Sequence, residues 1–466
     1  MRTKGSGGGT GMVLTVLFLG VLVGALDIAI VGPALPALKT HFGVDDRALA
    51  WVFTIYVLFN LIGAPLMAKL SDRTGRRPIY LLAIALFAAG SAMCAAAPSF
   101  GVLLVGRSLQ GLAAGGIFPV ASAVVGDVFP AERKGFALGM IGAVWGLAFL
   151  IGPILGSVLL RIGWQWIFLI NLPPAALVLV LGAFALPSTR SPNIQAFDTL
   201  GLVLLSLTLG GLTVGASNLH AANLVGSLAS PLVWPFLLLA VVGAPIFYMA
   251  EKRALDPLVR PSLLHTRQLA LANGITAGAG LGEGVLVFIP SLAVGAFHVT
   301  PSTAGMMTLP VVLAMAVGSP AAGRLLDKVG PRPVLIGGSA LLAAGMLLMG
   351  IVGGQYWAFY AGSALVGVGL SCLLGAPVRY IMLNDAPEED RASAQGAVTV
   401  FTGIGQLLSG ALVGAVAASA GNGVSGYGAA FVVTGAVGLL LLPLALALHA
   451  SPPMTKAGVP APAQRA

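Results

Sequence analysis

The sequence is poor in charge. Of its 466 residues only 8% are Asp, Glu, Lys or Arg, while 58% are hydrophobic. A soluble domain carries about 25% charged residues, so this chain cannot cover a globular surface with polar groups, and its natural solvent is a bilayer. Cysteine is scarce too. Cys94 and Cys372 both lie inside apolar runs, which argues against a disulfide framework and for two free thiols packed as small hydrophobes. The five His are scattered singly, without metal-ligand spacing, and no Walker-type phosphate loop occurs, so no metal or other cofactor is expected. The net charge is +9, but the basic residues sit in short loops between apolar spans, a pattern that sets membrane topology rather than one that binds nucleic acid.

What is abundant is Gly (64) and Pro (30), both commoner in membrane helices than in soluble ones. A span needs about 20 apolar residues. By that rule six spans lie near 12–36, 49–69, 79–97, 101–126, 136–160 and 165–187, and two more near 199–218 and 231–250. The last six lie near 268–297, 302–322, 334–353, 357–384, 394–418 and 428–448. The apolar run after the basic, Gly-rich N-terminus is too long for a signal-peptide core and reads as a retained first span. The pair at 199–250 is supported by the complete absence of Asp, Glu, Lys and Arg from Thr199 to Ala250.

One charged turn is written twice. AKLSDRTGRRPIY at 68–80 is echoed by GRLLDKVGPRP at 323–333, an offset of 255 residues that aligns Asp72 with Asp327, Gly75 with Gly330 and Arg77 with Arg332. Repetition of this kind implies two related halves. The expected organisation is a tail at 1–11, a six-helix bundle at 12–190, two inserted helices and linkers at 191–267, a second six-helix bundle at 268–450, and a tail at 451–466. With the N-terminus inside, the inner loops, tails and inner span ends hold 20 of the 24 basic residues. Both termini are therefore expected to be cytoplasmic. Trp164 and Trp166 then fall at the outer interface, where aromatic belts belong.

Two of the 15 acids are embedded in spans: Asp27 in the first and Glu283 in the ninth, at matching depth once the 255-residue offset is applied. A charge at mid-bilayer costs roughly 2.5–3.5 kcal/mol by insertion scales. The functional reading is a proton or cation site on a wet cavity. The structural one is a buried pair, for instance Asp27 with Arg107 of the fourth span, and the two are compatible. An arginine stays protonated, so Arg107 is expected to tune or hold a nearby acid, with Gln110 on a similar face. Gly274, Gly278, Gly280, Gly282 and Gly284 around Glu283 allow close packing or local opening.

Together these residues resemble the major facilitator superfamily, most closely its fourteen-span drug:proton antiporter branch. KLSDRTGRRP looks like motif A, RSLQGLAAGG like motif B with Arg107 as its arginine, and GLAFLIGPILG, with Gly146, Gly152, Pro153 and Gly156, like the antiporter motif C. LDIAIVGPALP, with Asp27, is similar to the first-span motif of that branch, and WVFTIYVLF and WQWIFLINLP are similar to two further stretches. Ala68 stands where motif A usually opens with Gly.

The resemblance implies an all-α membrane protein of two six-helix bundles plus two inserted helices, working by alternating access. It implies proton-coupled export of hydrophobic or cationic small molecules, with a dedicated exporter of one metabolite or lipid, or a non-transporting receptor, as the other readings. Asp27, Glu283 and Arg107 would couple protons. Asp72, Arg73, Arg76, Arg77, Asp127, Asp327 and Arg332 would form the cytoplasmic gate, with Asp72 at the N-terminus of a helix from the other half and one of the arginines on Asp127. Phe53, Tyr56, Asn60, Gln110, Trp145, Phe288 and Phe401 would line the cavity. The partners implied are a small-molecule substrate, protons and the lipid bilayer of the cell membrane. No enzymatic activity and no nucleic acid are expected, and the working unit is expected to be a monomer.

Overall fold

The structure is a computed structural model that describes residues 7–188, 198–220, 223–255, 257–258, 260–386, 391–420 and 423–449. Its regular elements, among the described residues, are helices. The first six long ones are α1 (Gly7–Phe42), α2 (Asp46–Thr74), α3 (Arg76–Ala95), α4 (Phe100–Val128), α5 (Ala131–Leu159) and α6 (Trp166–Ala185). The inserted pair is α7 (Thr199–Ser217) and α8 (Trp234–Arg253). The rest are α9 (Arg267–Phe297), α10 (Pro301–Val329), α11 (Pro331–Val352), α12 (Tyr356–Met382), α13 (Arg391–Ser419) and α14 (Gly423–Leu446). Thirteen are long and apolar enough to cross a membrane over their described residues. The remaining one, α5, has 29 residues, of which Leu147–Leu159 form the described apolar part. The fourteen spans read from hydropathy are thus matched.

Helix ends follow local chemistry. Asp45 caps α2, its Oδ1 accepting the Ala48 N–H at 2.7 Å. Asp198 caps α7 through Gly201 N–H at 2.7 Å, and Thr300 caps α10 through Thr303 N–H at 3.2 Å. Each satisfies a donor that the helix itself leaves without a partner. The two glycines aligned by the repeat share one conformation. Gly75 has φ 112° and Gly330 φ 82°, a region that side-chain-bearing residues rarely adopt. Each donates its N–H back to the preceding helix, Gly75 to Ser71 O at 3.0 Å and Gly330 to Leu326 O at 2.9 Å. The charged turn is therefore the same turn twice.

The chain divides into two compact units. The first comprises Met1–Leu258, Val285–Leu309 and Leu407–Tyr427, and the second Val259–Gly284, Pro310–Gln406 and Gly428–Ala466. Within the first, α3 and α4 meet at backbone distance: a Cβ on Gly90 would lie 2.8 Å from Gly106 O. Within the second, a Cβ on Gly345, which is 255 residues on, would lie 2.7 Å from Gly362 O. Small residues let membrane helices approach this closely, and the repeat preserves where they do so.

The inserted helices pack on one another through Gly211, whose Cβ would meet Phe236 O at 2.7 Å. On α8, Leu238, Val241, Ile246 and Met249 remain exposed, as lipid-facing side chains do. The insertion is tied to α2 by Arg47, whose Nη2 donates to Leu219 O at 3.0 Å and reaches His220 Nδ1 at 2.9 Å. Those contacts lie at the end of the first unit where α1 runs into α2. We call it the far end, and the end carrying Arg76 and Asp127 the basic end. At the far end Trp164 packs on Phe42 with ring centres 5.4 Å apart.

Candidate functional site: a carboxylate network inside the first unit

α1, α3, α4 and the break in α6 converge on one buried carboxylate. Asp27 and Arg107 are 0% and 1% exposed. Arg107 Nη1 donates to Asp27 Oδ2 at 2.5 Å. The other oxygen, Oδ1, accepts from Gln110 Nε2 and from Asn171 Nδ2, each at 3.0 Å. Gln110 turns its Oε1 to Arg107 Nη1 at 2.9 Å and its Nε2 to Ser91 Oγ at 2.7 Å. Arg107 Nε donates to Val52 O at 3.1 Å, and its guanidinium lies 4.3 Å from the centre of the Tyr56 ring. Both carboxylate oxygens are engaged. A buried ion pair of this kind holds only because further hydrogen bonds satisfy both partners.

Local sequence explains how the parts arrive. Arg107 and Gln110, three apart on α4, face the same way. α4 can come close enough because Gly111 lies on Tyr56, where even a methyl group would overlap the backbone carbonyl. Asn171 sits where α6 is interrupted between Leu169 and Leu172, so its side chain can reach inward. α5 lies against α1 just past Asp27. Gly152 packs on Ala29, Pro153 is buried, and a Cβ on Gly156 would lie 3.2 Å from Ile30 O. Gly152, Pro153 and Gly156 of the antiporter-like motif thus lie on the stretch of α5 that packs on α1 just past Asp27.

In the second unit Glu283 is half-buried, and its Oε2 accepts from Gln406 Nε2 at 2.8 Å. Position 362, where the repeat would place a counterpart of Arg107, is Gly362, and position 365, matching Gln110, is Leu365. The helix carrying Glu283 gives way to a 3₁₀ turn at Leu286–Phe288. The two embedded acids are therefore held very differently, one by a guanidinium and two amides and the other with an amide on it.

At the basic end of the first unit Arg76 binds Asp72 of the same turn, Asp127 Oδ2 of α4 at 3.2 Å and Ser71 Oγ at 2.9 Å. Arg77 donates to Ala183 O of α6, and Arg73 is exposed. Of the three arginines expected near Asp127, Arg76 is the one that reaches it. In the second unit Arg332 donates to Leu446 O at 2.6 Å, and Asp327 is half-buried.

Of the expected cavity residues, Phe53, Tyr56, Gln110 and Phe288 are buried, and Asn60 and Phe401 half-buried. Phe53 and Phe288 meet edge to face at 6.2 Å. Trp145 and Gly146 lie outside the described side chains. Among the described residues no His, Cys, Asp or Glu cluster suits a metal, and Cys94 and Cys372 are free thiols. Sequence reasoning missed Ser91 and Asn171 as members of the Asp27 network. Asn171 carried a signal, as the sole Asn in the apolar run 166–187. Ser91 carried none, being one small residue of a Gly- and Ala-rich helix.

The Major Facilitator Superfamily profile matches residues 17–282 and 269–466. The chain is 34% identical over 404 residues to an uncharacterized MFS-type transporter, YfiU, of Bacillus subtilis, covering 85% of this chain and 77% of that protein. It is 30% identical over 410 residues to the multidrug resistance protein Stp of Mycobacterium tuberculosis, covering 86% and 74%. It is 28% identical over 417 residues to the multidrug transporter protein MdtP of Bacillus subtilis, covering 87% and 75%. Among solved structures it resembles a POT family transporter in complex with 5-aminolevulinic acid (TM-score 0.69, 16% identity, 96% of this chain and 97% of that one). It also resembles a bacterial homolog of the human lysosomal transporter Spinster in an inward-facing, occupied conformation (TM-score 0.67, 16% identity, 95% and 97%). At such identities the structures speak to fold alone. The matched family and relatives are transporters, not enzymes.

Proposed function

Because the chain belongs to the major facilitator superfamily, we propose that it exports hydrophobic or cationic small molecules across the cell membrane in exchange for protons, by alternating access. The observation that carries this reading is the pair of embedded acids on equivalent helices. Asp27 is bound by Arg107, Gln110 and Asn171, and Glu283 by Gln406. A carboxyl on a membrane helix that only packs would be replaced by an apolar residue at a gain of a few kcal/mol. Multidrug relatives at 28–30% identity support the cargo class.

The two acids suit different parts of a cycle. Asp27 already accepts from Arg107, Gln110 and Asn171, so in this reading its release goes with movement of α4 against α1. Glu283 needs no such displacement. An amide can donate to a carboxylate or, turned over, accept from a carboxylic acid, so Gln406 serves both forms. A charge carried inward is worth about 2.3 kcal/mol per 100 mV of membrane potential. In this reading the 12–190 and 268–450 bundles rock in alternating access, the basic end and both termini face the cytoplasm, Arg76 with Asp72 and Asp127 locks that side, and the working unit is a monomer.

The test is ethidium accumulation in everted vesicles, together with ethidium-induced proton release in proteoliposomes. The parent is expected to concentrate the dye with proton release, and Asp27→Asn and Glu283→Gln to lose uphill transport. Parental accumulation and proton release in both single variants would remove the coupling role from these acids.

A further inference from the structure

A second buried carboxylate lies at the far end of the first unit, apart from the Asp27 network. Asp46, the first residue of α2, is 2% exposed. Its Oδ1 accepts from Lys39 Nζ, in the last turn of α1, at 2.5 Å and from Tyr427 Oη, at the start of α14, at 2.8 Å. Its Oδ2 is cut off from water and has no hydrogen-bond partner. A carboxylate oxygen left so is costly to bury.

Its surroundings are aromatic. The Tyr427 ring lies near-parallel to that of Phe288 at 6.5 Å, and Phe288 meets Phe53 edge to face at 6.2 Å. Phe288 and Tyr427 are almost wholly buried. The positive charge at this carboxylate is the Lys39 ammonium, whose side chain is 34% exposed and so enters from the solvent side. The neighbouring Arg47 is turned away, onto Leu219 O and His220, and Asp45 points its carboxylate at the Ala48 N–H. A buried carboxylate with one oxygen unused, bonded to a tyrosine hydroxyl whose ring stacks on Phe288, is a setting that favours a cation with an aromatic neighbour.

We propose that Asp46, Tyr427 and Phe288 form a binding site for an organic cation on its way out, and that the Lys39 ammonium is a tethered occupant which that cation displaces. The proposal rests on the export reading. In the orientation given there the far end is the outer one, and the α14–α2 contact made by Tyr427 and Asp46 must open for cargo to leave. A cation that takes the place of Lys39 and engages the free Oδ2 loosens the Tyr427 bond as it passes.

The test uses the full chain in lipid nanodiscs, with fluorescence titration of ethidium, a permanent cation, and of Nile red, an uncharged lipophile. Lys39→Gln removes the competitor and should tighten ethidium binding about threefold, the scale of one partly exposed ion pair. Asp46→Asn should weaken it about tenfold, the scale of one hydrogen bond to a charged group. Nile red binding should be unchanged in both. Opposite signs on the cation with no effect on the neutral dye are the signature of a site. Loss of affinity for both dyes in both variants would make the cluster a structural clasp and overturn the proposal. If Asp46→Asn does not fold, Lys39→Gln decides alone, and ethidium affinity at or below that of the parent overturns it. A parent that binds and pumps ethidium while both variants match it sinks this site only. A parent that binds neither dye sinks the export reading with it.

Discussion

Consider the Asp27–Arg107 pair taken apart one partner at a time. Asp27→Asn leaves a guanidinium that is 1% exposed facing an amide. The new side chain has one acceptor oxygen where the carboxylate used two, one toward Arg107 Nη1 and one toward Gln110 and Asn171. Whichever way the amide is turned, an NH₂ group faces a donor. Stranding one partner of a buried pair costs about 3–5 kcal/mol. Arg107 keeps Val52 O, Gln110 Oε1 and the Tyr56 ring, so the loss should fall near the lower bound, about 3 kcal/mol. Arg107→Ala removes those contacts as well and leaves a buried carboxylate with two amides, a loss of about 4 kcal/mol. In the double variant neither charge is stranded, so its loss should be well below the sum of the two, with a coupling of about 2 kcal/mol or more. The assay is equilibrium unfolding of the purified protein in mixed micelles, followed by tryptophan fluorescence, for the parent, both single variants and the double. Additivity within about 0.5 kcal/mol would refute the reasoning, because it would mean that the two side chains do not depend on one another.

Glu283→Gln keeps a group that can pair with Gln406, so the same unfolding measurement should show a change below about 1 kcal/mol even though uphill transport is lost. At the basic end, Asp127→Asn removes one ion pair of Arg76 whose acid is 28% exposed. Stability should drop by less than about 1 kcal/mol, while spectroscopic distances across the basic end shift if the pair acts as a lock, and stay at parental values if it does not. Gly111→Ala brings a methyl group onto the Tyr56 backbone carbonyl, which cannot swing aside, so it should cost about 1–3 kcal/mol and disturb Arg107 over the Tyr56 ring, read as lost stability and lost transport together. Reporter fusions after Arg190 and after Arg267 should both report the cytoplasmic side, and an outside reading at either one would overturn the proposed topology.

Much of the fold was legible in the sequence because its causes are local. A span shows itself as an apolar run of bilayer length, and α7 and α8 stood out as 52 residues without a charge. The duplicated turn was visible as Asp72 and Gly75 against Asp327 and Gly330, and both glycines do take the backbone conformation that suits glycine. Part of the site was legible for the same reason: an acid or an arginine inside an apolar run announces its own burial, so Asp27, Arg107 and Glu283 could be singled out, and their pairing considered, from position alone.

Only the tertiary structure decided who binds whom. That Asp27 is held by Gln110 and Asn171, and that Gln406 is laid on Glu283, depends on side chains brought together from α1, α4 and the break in α6, or from α9 and α13. Asp46 makes the point most sharply. In the sequence it stands between Asp45 and Arg47 and reads as one more charge in a solvated turn. In the fold it is buried, because Tyr427, 381 residues along the chain, covers it. Hydropathy and charge patterning act through near neighbours on the chain, whereas burial of a single turn residue is set by whichever helix the packing lays over it, and no local signal carries that information.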